Sequence, residues 1–333
     1  MIKVSNNKKN QTFRIVVWGL GQHAIKNILP AISILKELSL YGVCSRSTLV
    51  AKDCAEKWNC HSWTDADQML ADPLVDIVYL ATPIGLHAEQ GMQILSAGKH
   101  FWCEKPLTCN LSDTNKILQV AKDRMLTVTE GFMYLDHSHF NRVYNFIHKK
   151  EKGDIKSIIC RFGIPPLNNP GFRKTKELGG GAFWDVGSYT VSALLALFPN
   201  QPVEILYCEK LNESNSIVDN EGRALLRFSG KITAYLEWSV DYGYRNEIDI
   251  WAQKGSLFTD KIFSKSLSYR PYLRLRNLEG VESCEYLEQG ENHFVKMFCR
   301  FYDTLENPKL AMKEAGNILR RAEVLHMLQS GNR

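Results

Sequence analysis

The chain has 333 residues, of which 44% are hydrophobic and 23% charged, with a formal net charge of +5. At about 100–200 residues per domain this fits two folded domains and excludes a disordered or collagen-like chain. No run of about 18 apolar residues suggests a membrane span, and no dense Lys/Arg stripe marks a nucleic-acid footprint.

The nine cysteines form no CxxC pair, and Cys54/Cys60 and Cys103/Cys109 do not match common zinc spacings. Met1–Gln11 is polar, lacks the apolar core of a signal peptide and reads as a disordered lead-in. Together these point to reduced thiols in the cytoplasm. The cluster His148-Lys149-Lys150-Glu151-Lys152 reads as a solvated helix end. His137 and His139 flank Ser138; surface or packing histidines are the simpler reading than a metal pair, so no metal is expected.

In chain order, Phe13–Trp18 reads as a first strand running into Gly19-Leu20-Gly21-Gln22-His23-Ala24. A helix follows, with Ala24, Ile25, Ile28, Leu29, Ile32 and Leu35 on one face and Pro30 as a kink or an early boundary. Tyr41–Cys44 is a second strand. Ser47 caps a helix through Lys57, and Asn59 stops it. Asp76–Ala81 is a strand ended by Thr82-Pro83, and Leu86–Ala97 a helix closed by Gly98. Phe101–Cys103 is a strand leading to Glu104-Lys105-Pro106, Leu111–Arg124 a helix and Leu126–Thr129 a strand. Such alternation predicts a doubly wound parallel sheet over residues 12–133.

From 134 to 333 the pattern changes. Ile155–Phe162, Val203–Glu209, Ala224–Phe228, Thr233–Val240 and Glu247–Ala252 read as successive strands of an open, mostly antiparallel sheet. Helices are expected at Ala182–Leu197, Asn292–Leu305 and Lys313–Leu328, the last one free to pack on the first domain.

The glycine motif has the strand-to-helix context that dinucleotide binding requires. Gly19 allows the tight turn, Gly21 lets backbone approach a pyrophosphate, and Ala24 is small enough for helix–strand packing. Leu20, Gln22 and His23 complete the loop, whose N–H groups would face the phosphates. An NAD site usually places an acid at the end of the second strand. This chain has Ser45-Arg46-Ser47 there, which favours the 2′-phosphate of NADP(H) over NAD(H). A solvated Arg46, or one stacked on adenine, is the competing reading. Thr82, Pro83, His87, Glu104 and Lys105 lie at the carboxyl ends of strands, where open α/β sheets bind ligands. His87 reads equally as a packing histidine.

Gly179-Gly180-Gly181-Ala182-Phe183-Trp184-Asp185-Val186-Gly187-Ser188-Tyr189 opens a mostly apolar helix. Asp185, Ser188, Tyr189 and Ser192 share one helical stripe, which suggests a lined pocket. A capping Asp185 and an amphipathic core Tyr189 would give the same spacing.

Taken together, GLGQHA at 19–24, DIVYLATPIGLHAE at 76–89, AGKHFWCEKPLT at 97–108, EGFMY at 130–134 and GGGAFWDVGSY at 179–189 resemble the Gfo/Idh/MocA oxidoreductase family. The resemblance implies a Rossmann domain followed by an α+β domain with an open sheet for substrate and for homodimer or homotetramer contacts. It also implies that Lys105 is the active-site lysine. Tyr189 stands where many members have His, as in glucose–fructose oxidoreductase, dimeric dihydrodiol dehydrogenase and nucleotide-sugar 3-ketoreductases. Leu135 and Ser138 replace the Arg and Pro often found there. The run 162–173 looks most like the ketoreductases.

The implied chemistry is hydride transfer between NADP(H) and a sugar carbonyl or alcohol, with reduction of a nucleotide-linked keto-hexose favoured. On this reading Tyr189 donates the proton, Lys105 stabilises the oxygen and lowers the tyrosine pKa, and Asp185 orients Lys105 or substrate hydroxyls. The alternatives are a free-sugar or trans-dihydrodiol dehydrogenase, and a cofactor-binding regulatory protein without turnover.

Overall fold

The computed structural model describes residues 12–149, 153–212 and 216–331. The expected lead-in 1–11 and the 150–152 part of the basic cluster lie outside them.

In the first half, β1 (Phe13–Trp18) ends at the glycines and a π turn (Ala24–Ile28) leads into α1 (Leu29–Ile34). Pro30 has no N–H to donate and its ring crowds the carbonyl of Lys26. The preceding stretch opens instead, and Leu29 N–H reaches back five residues to Ala24 O. β2 (Leu38–Cys44) and α2 (Thr48–Trp58) follow. Ser47 Oγ accepts from Val50 N–H at 3.4 Å, and Asn59 stops the helix in the left-handed region.

β3 (His61–Trp63), α3 (Ala66–Ala71), β4 (Ile77–Leu80), α4 (His87–Ser96), β5 (His100–Cys103), α5 (Leu111–Asp123) and β6 (Val128–Glu130) complete this half. β3 and α3 are additions to the expected set; three and six residues are too short to show a period. The six strands form a parallel sheet in the order β3-β2-β1-β4-β5-β6. The order reverses between β1 and β4, which opens a crevice at their carboxyl ends.

The second half contains α6 (Ser138–His148), β7 (Ile155–Ile164), and a second π turn (Phe183–Gly187) running into α7 (Ser188–Leu197). The strands β8 (Val203–Leu211), β9 (Glu221–Phe228), β10 (Ile232–Val240), β11 (Arg245–Ala252), β12 (Gly255–Asp260), β13 (Tyr272–Arg276) and β14 (Glu282–Tyr286) follow. They join β7 in one eight-stranded sheet, ordered β14-β13-β12-β11-β7-β10-β9-β8. Every pairing is antiparallel except β7 with β10. The sequence reading lacked α6 and β12–β14. α6 had a readable signal in Phe140, Val143, Tyr144 and Ile147, at helical spacing. α7 covers one face of this sheet, while Trp251 on the other is 62% exposed.

The chain then returns to the first sheet through α8 (His293–Glu306) and α9 (Pro308–Ser330). Phe298 and Phe301 of α8 pack on Trp102, and Phe298 also meets Tyr79. α9 runs along α5 and β6 and also touches α7 and β8, so it contacts both halves. Among the described residues no helix is long and apolar enough to cross a membrane.

Phe298 is fully enclosed between Tyr79, Trp102 and Phe301. Phe298→Ala is expected to lower stability by about 3–5 kcal/mol in chemical unfolding. A loss below about 1 kcal/mol would show that α8 does not hold the first sheet.

Candidate active site

The glycine loop sits at the switch point. Gly19 has φ +105, and a Cβ there would lie 2.6 Å from the backbone carbon of Ala81, at the end of β4. Only glycine fits that crossing. A Cβ on Gly21 would meet nothing, so this position faces an open cradle. Ala24 is buried against the core, while Leu20 is half-buried and Gln22 and His23 are exposed. A helix start with free N–H groups beside an open cradle suits a pyrophosphate.

At the end of β2, Arg46 is exposed and has no carboxylate partner among the described residues. Ser45 Oγ accepts from Ser47 N–H at 3.3 Å, and Ser47 Oγ caps α2. Both hydroxyls keep their own proton to donate. The donor set therefore fits the phosphate of an adenine ribose.

Thr82 and Pro83 are half-buried beside the crevice, and Thr82 Oγ1 donates to Gln90 Oε1 at 2.6 Å. His87 is not at an open surface, which favours the packing reading over a contact with the cofactor. It is fully enclosed, with Nε2 2.9 Å from Thr82 O and Nδ1 3.1 Å from Pro106 O. Burial lowers its pKa and keeps the ring neutral, so it donates its single N–H to one of these carbonyls and packs against the other. Glu104 does not pair with Lys105. Its Oε1 accepts from Tyr79 Oη at 2.5 Å and lies 3.0 Å from His23 Nε2.

The partner of Lys105 comes from the other half of the chain. Its Nζ donates to Asp185 O at 2.6 Å and to Asp185 Oδ1 at 3.3 Å. The same ammonium lies 4.5 Å from the centre of the Tyr189 ring. Arg173 Nε donates to Asp185 Oδ2 at 2.6 Å. Burial pushes the Asp185 carboxyl up, but Lys105 and Arg173 outweigh it and hold the group below the usual carboxylate range.

Tyr189 corrects a second expectation. Burial, together with the charges of Glu104 and Asp185, raises its pKa well above the ordinary value. Lys105 stands over the ring face, where it does not offset this, and Tyr189 Oη faces Met133 Sδ at 3.6 Å. The group is a neutral phenol.

The expected polar stripe is only partly a pocket wall. Ser188 Oγ donates to Trp184 O, and Ser192 Oγ shares a 2.5 Å hydrogen bond with Tyr134 Oη. Both are buried, because α7 is apolar on nearly its whole circumference. Asp185 and Arg173 open instead onto a cleft of about 880 Å³, with Leu167, Lys174, Ile217 and Asp219 on its wall. Sequence reasoning gave Arg173 no role. His137 and His139 are buried, His139 Nε2 lies 2.6 Å from Thr259 Oγ1, and no metal-holding cluster occurs among the described residues.

Residues 13–132 match the model of an oxidoreductase family with an NAD-binding Rossmann fold. Residues 140–258 match the Gfo/Idh/MocA C-terminal domain. The chain belongs to the Gfo/Idh/MocA family. This Gfo/Idh/MocA member is accordingly an NAD(P)-dependent oxidoreductase. It is 31% identical to a dTDP-3,4-didehydro-2,6-dideoxy-alpha-D-glucose 3-reductase of Saccharopolyspora spinosa, over 80% of each chain. A 3-ketoreductase from Actinomadura kijaniata, solved with NADP and TDP-benzene, is similar at 27% identity and a TM-score of 0.90, covering 96% of this chain and 98% of its own. An aldose–aldose oxidoreductase from Caulobacter crescentus shares the fold at 21% identity and a TM-score of 0.85, over 97% and 99% of the two chains.

The His23–Glu104 pair gives a pH signature. Glu104 is held at about 2 against an ordinary 4.5: burial opposes this, and His23, Tyr79 and Lys105 overcome it. Its share of stability is complete above pH 4.5 and lost as pH falls toward 2. Desolvation where the ring meets Glu104 lowers the pKa of the otherwise exposed His23, but the Glu104 charge raises it more, above 6.5. That share is complete below pH 6.5 and lost as pH rises through the folded value. Glu104→Gln is expected to cost most stability between pH 4.5 and 6.5, and less on either side. A pH-independent cost in unfolding experiments would remove the pair as its cause.

Proposed function

We propose that this oxidoreductase uses NADP(H) to reduce a keto-sugar, with a nucleotide-linked hexose as the substrate class. The observation that carries the proposal is the meeting of Lys105, Asp185 and Tyr189 from the two halves, with Asp185 also on the wall of a cleft large enough for a nucleotide-linked sugar. Exposed Arg46 between two serine hydroxyls supports NADP(H). The relatives that are 3-ketoreductases support the substrate class.

Gly19–His23 would hold the pyrophosphate, Ser45–Ser47 the 2′-phosphate, and Thr82, Pro83, Glu104 and Lys105 would border the nicotinamide end. When bound, the dinucleotide supplies the hydride. Lys105 brings its ammonium beside the substrate oxygen, and Asp185 fixes the direction of that ammonium. Tyr189 bears the proton. A sugar alkoxide is a stronger base than an ordinary phenolate, so the proton passes from the phenol only as the alkoxide forms. The raised pKa makes the phenol a reluctant acid early in the reaction, so the charge on Lys105 carries the larger share of the rate. Asp185, shared between Lys105 and Arg173, also turns Arg173 toward the cleft and its substrate.

The enzyme is further proposed to work in the cytoplasm, where its nine free thiols stay reduced, and as a homodimer or homotetramer through the open sheet bearing Trp251.

NADPH oxidation with a panel of nucleotide-linked and free keto-sugars tests the reading. Turnover with a nucleotide-linked ketone supports it, and silence across the panel sinks it. Lys105→Met is expected to lower kcat about 10³-fold and Tyr189→Phe about tenfold, both with NADPH affinity retained. Equal and near-normal turnover in the two variants would remove them from the chemistry. Arg46→Ala should raise KM for NADPH about tenfold and leave KM for NADH within twofold; parallel changes would show that Arg46 does not read the phosphate.

A further inference from the structure

The loop carrying Lys105 is tied to the far end of the chain. Two residues after Lys105, Leu107 N–H donates to Glu130 Oε1 at 2.7 Å. The other oxygen of Glu130 accepts from Arg321 Nε at 2.5 Å. Glu130, at the end of β6, is 2% exposed, and Arg321, in the middle of α9, is 5% exposed. Arg321 Nη2 lies 3.5 Å from Glu314, which pairs with Arg300 at 2.9 Å, and Arg300 pairs with Asp136 at 2.9 Å. Five charged groups thus form one chain, with Glu130, Glu314 and Arg321 buried and Arg300 and Asp136 half-buried.

Such an array is a poor way to gain stability. Desolvation of buried ions commonly cancels their attraction, and an apolar set of the same shape would serve as well. What ions provide is fixed geometry, through short directional hydrogen bonds.

The geometry leads to the second half of the site. The Arg321 guanidinium lies 5.4 Å from the centre of the Phe132 ring, and Phe132 packs edge-on against Tyr189 at 5.4 Å between centroids. One side of Arg321 therefore grips the lysine loop and the other backs the tyrosine. The neighbouring Arg320 donates to Phe198 O at 3.0 Å and to Gln201 O at 2.5 Å, just past the carboxyl end of α7, the helix that begins next to Tyr189. Adjacent residues of α9 hold the Lys105 loop and the Tyr189 helix.

We propose that Arg321, acting through Glu130, is a positioning residue that sets the spacing between the Lys105 ammonium and the Tyr189 phenol. It touches neither substrate nor cofactor. A displacement of about 1 Å at reacting groups can cost up to about a hundredfold in rate, so a small slip of the loop is kinetically visible.

The proposal rests on the reading of Lys105 and Tyr189 as the reacting pair, and the test separates the two. Glu130→Gln with Arg321→Met in the full-length enzyme removes both charges, keeps an acceptor for Leu107 and leaves no buried ion unpaired between them. Five quantities are read: melting temperature, NADPH Kd, kcat, KM for the ketone, and the Lys105 Nζ to Tyr189 ring distance in a crystal structure of the variant. The expected result is a melting temperature within a few degrees of the parent and Kd and KM within about threefold. With these, kcat falls at least about tenfold and the ring distance shifts from 4.5 Å. Arg321→Lys, which keeps the charge but loses the planar fork, should fall between the parent and the double variant. An unchanged distance, a kcat within twofold of the parent, or a kcat loss that only accompanies loss of folding or NADPH binding would each overturn the proposal. If Lys105→Met turned over normally, the reacting-pair reading would fail, whereas the distance would still report on Arg321.

Discussion

The ammonium of one half of the molecule is held by the other half. Lys105 leaves the carboxyl edge of the parallel sheet and finds both the carbonyl and the carboxylate of Asp185 at the start of α7. A buried cation without such partners would be costly to form, so the two halves are committed to one arrangement. The surroundings of Lys105 follow from this constraint. Glu104 before it is taken by His23 and Tyr79, Pro106 after it by His87, and Leu107 by Glu130. The loop can move only if several independent bonds give way together.

Charge is distributed so that one unit remains for the substrate. Asp185 answers Lys105 and Arg173, two cations sharing one carboxylate. Glu104, also ionised, is directed away toward the glycine loop. Phe132, Tyr134, Phe162 and Phe263 surround the Tyr189 ring and keep the phenol uncharged. An oxygen that gains negative charge in this place meets a positive field in surroundings of low polarity, where such a field is least screened.

Much of this was legible in the residues. Gly19, Gly21 and Ala24 each have one steric duty, and the crossing with Ala81 shows it for Gly19. Ser47 and Asn59 are where cap chemistry puts them. Less legible was anything decided by distance in space. Asp185 was visible as a polar residue on an apolar helix, but its bond to Lys105 spans 80 positions. His87 could not be sorted from a ligand contact, because the groups its ring nitrogens face are backbone carbonyls that no motif encodes. The tyrosine was assigned the wrong direction of pKa change because a nearby cation was weighed without the burial that outweighs it. Arg320 and Arg321 look like ordinary surface charges of a long helix until α9 is seen to lie between the two halves.

Two π turns occur among the described residues, and both stand at the site: Ala24–Ile28 behind the glycine loop and Phe183–Gly187 around Asp185. A π turn amounts to one residue more than the helix needs. Each residue of an α-helix advances about 100° around its axis, and the wider turn advances less per residue. In the second segment this sets the angle between Asp185, inside the wide turn, and Tyr189, in the helix that follows it. Straightening that turn would change the angle at which the carboxylate and the phenol face each other, although no catalytic group had been lost.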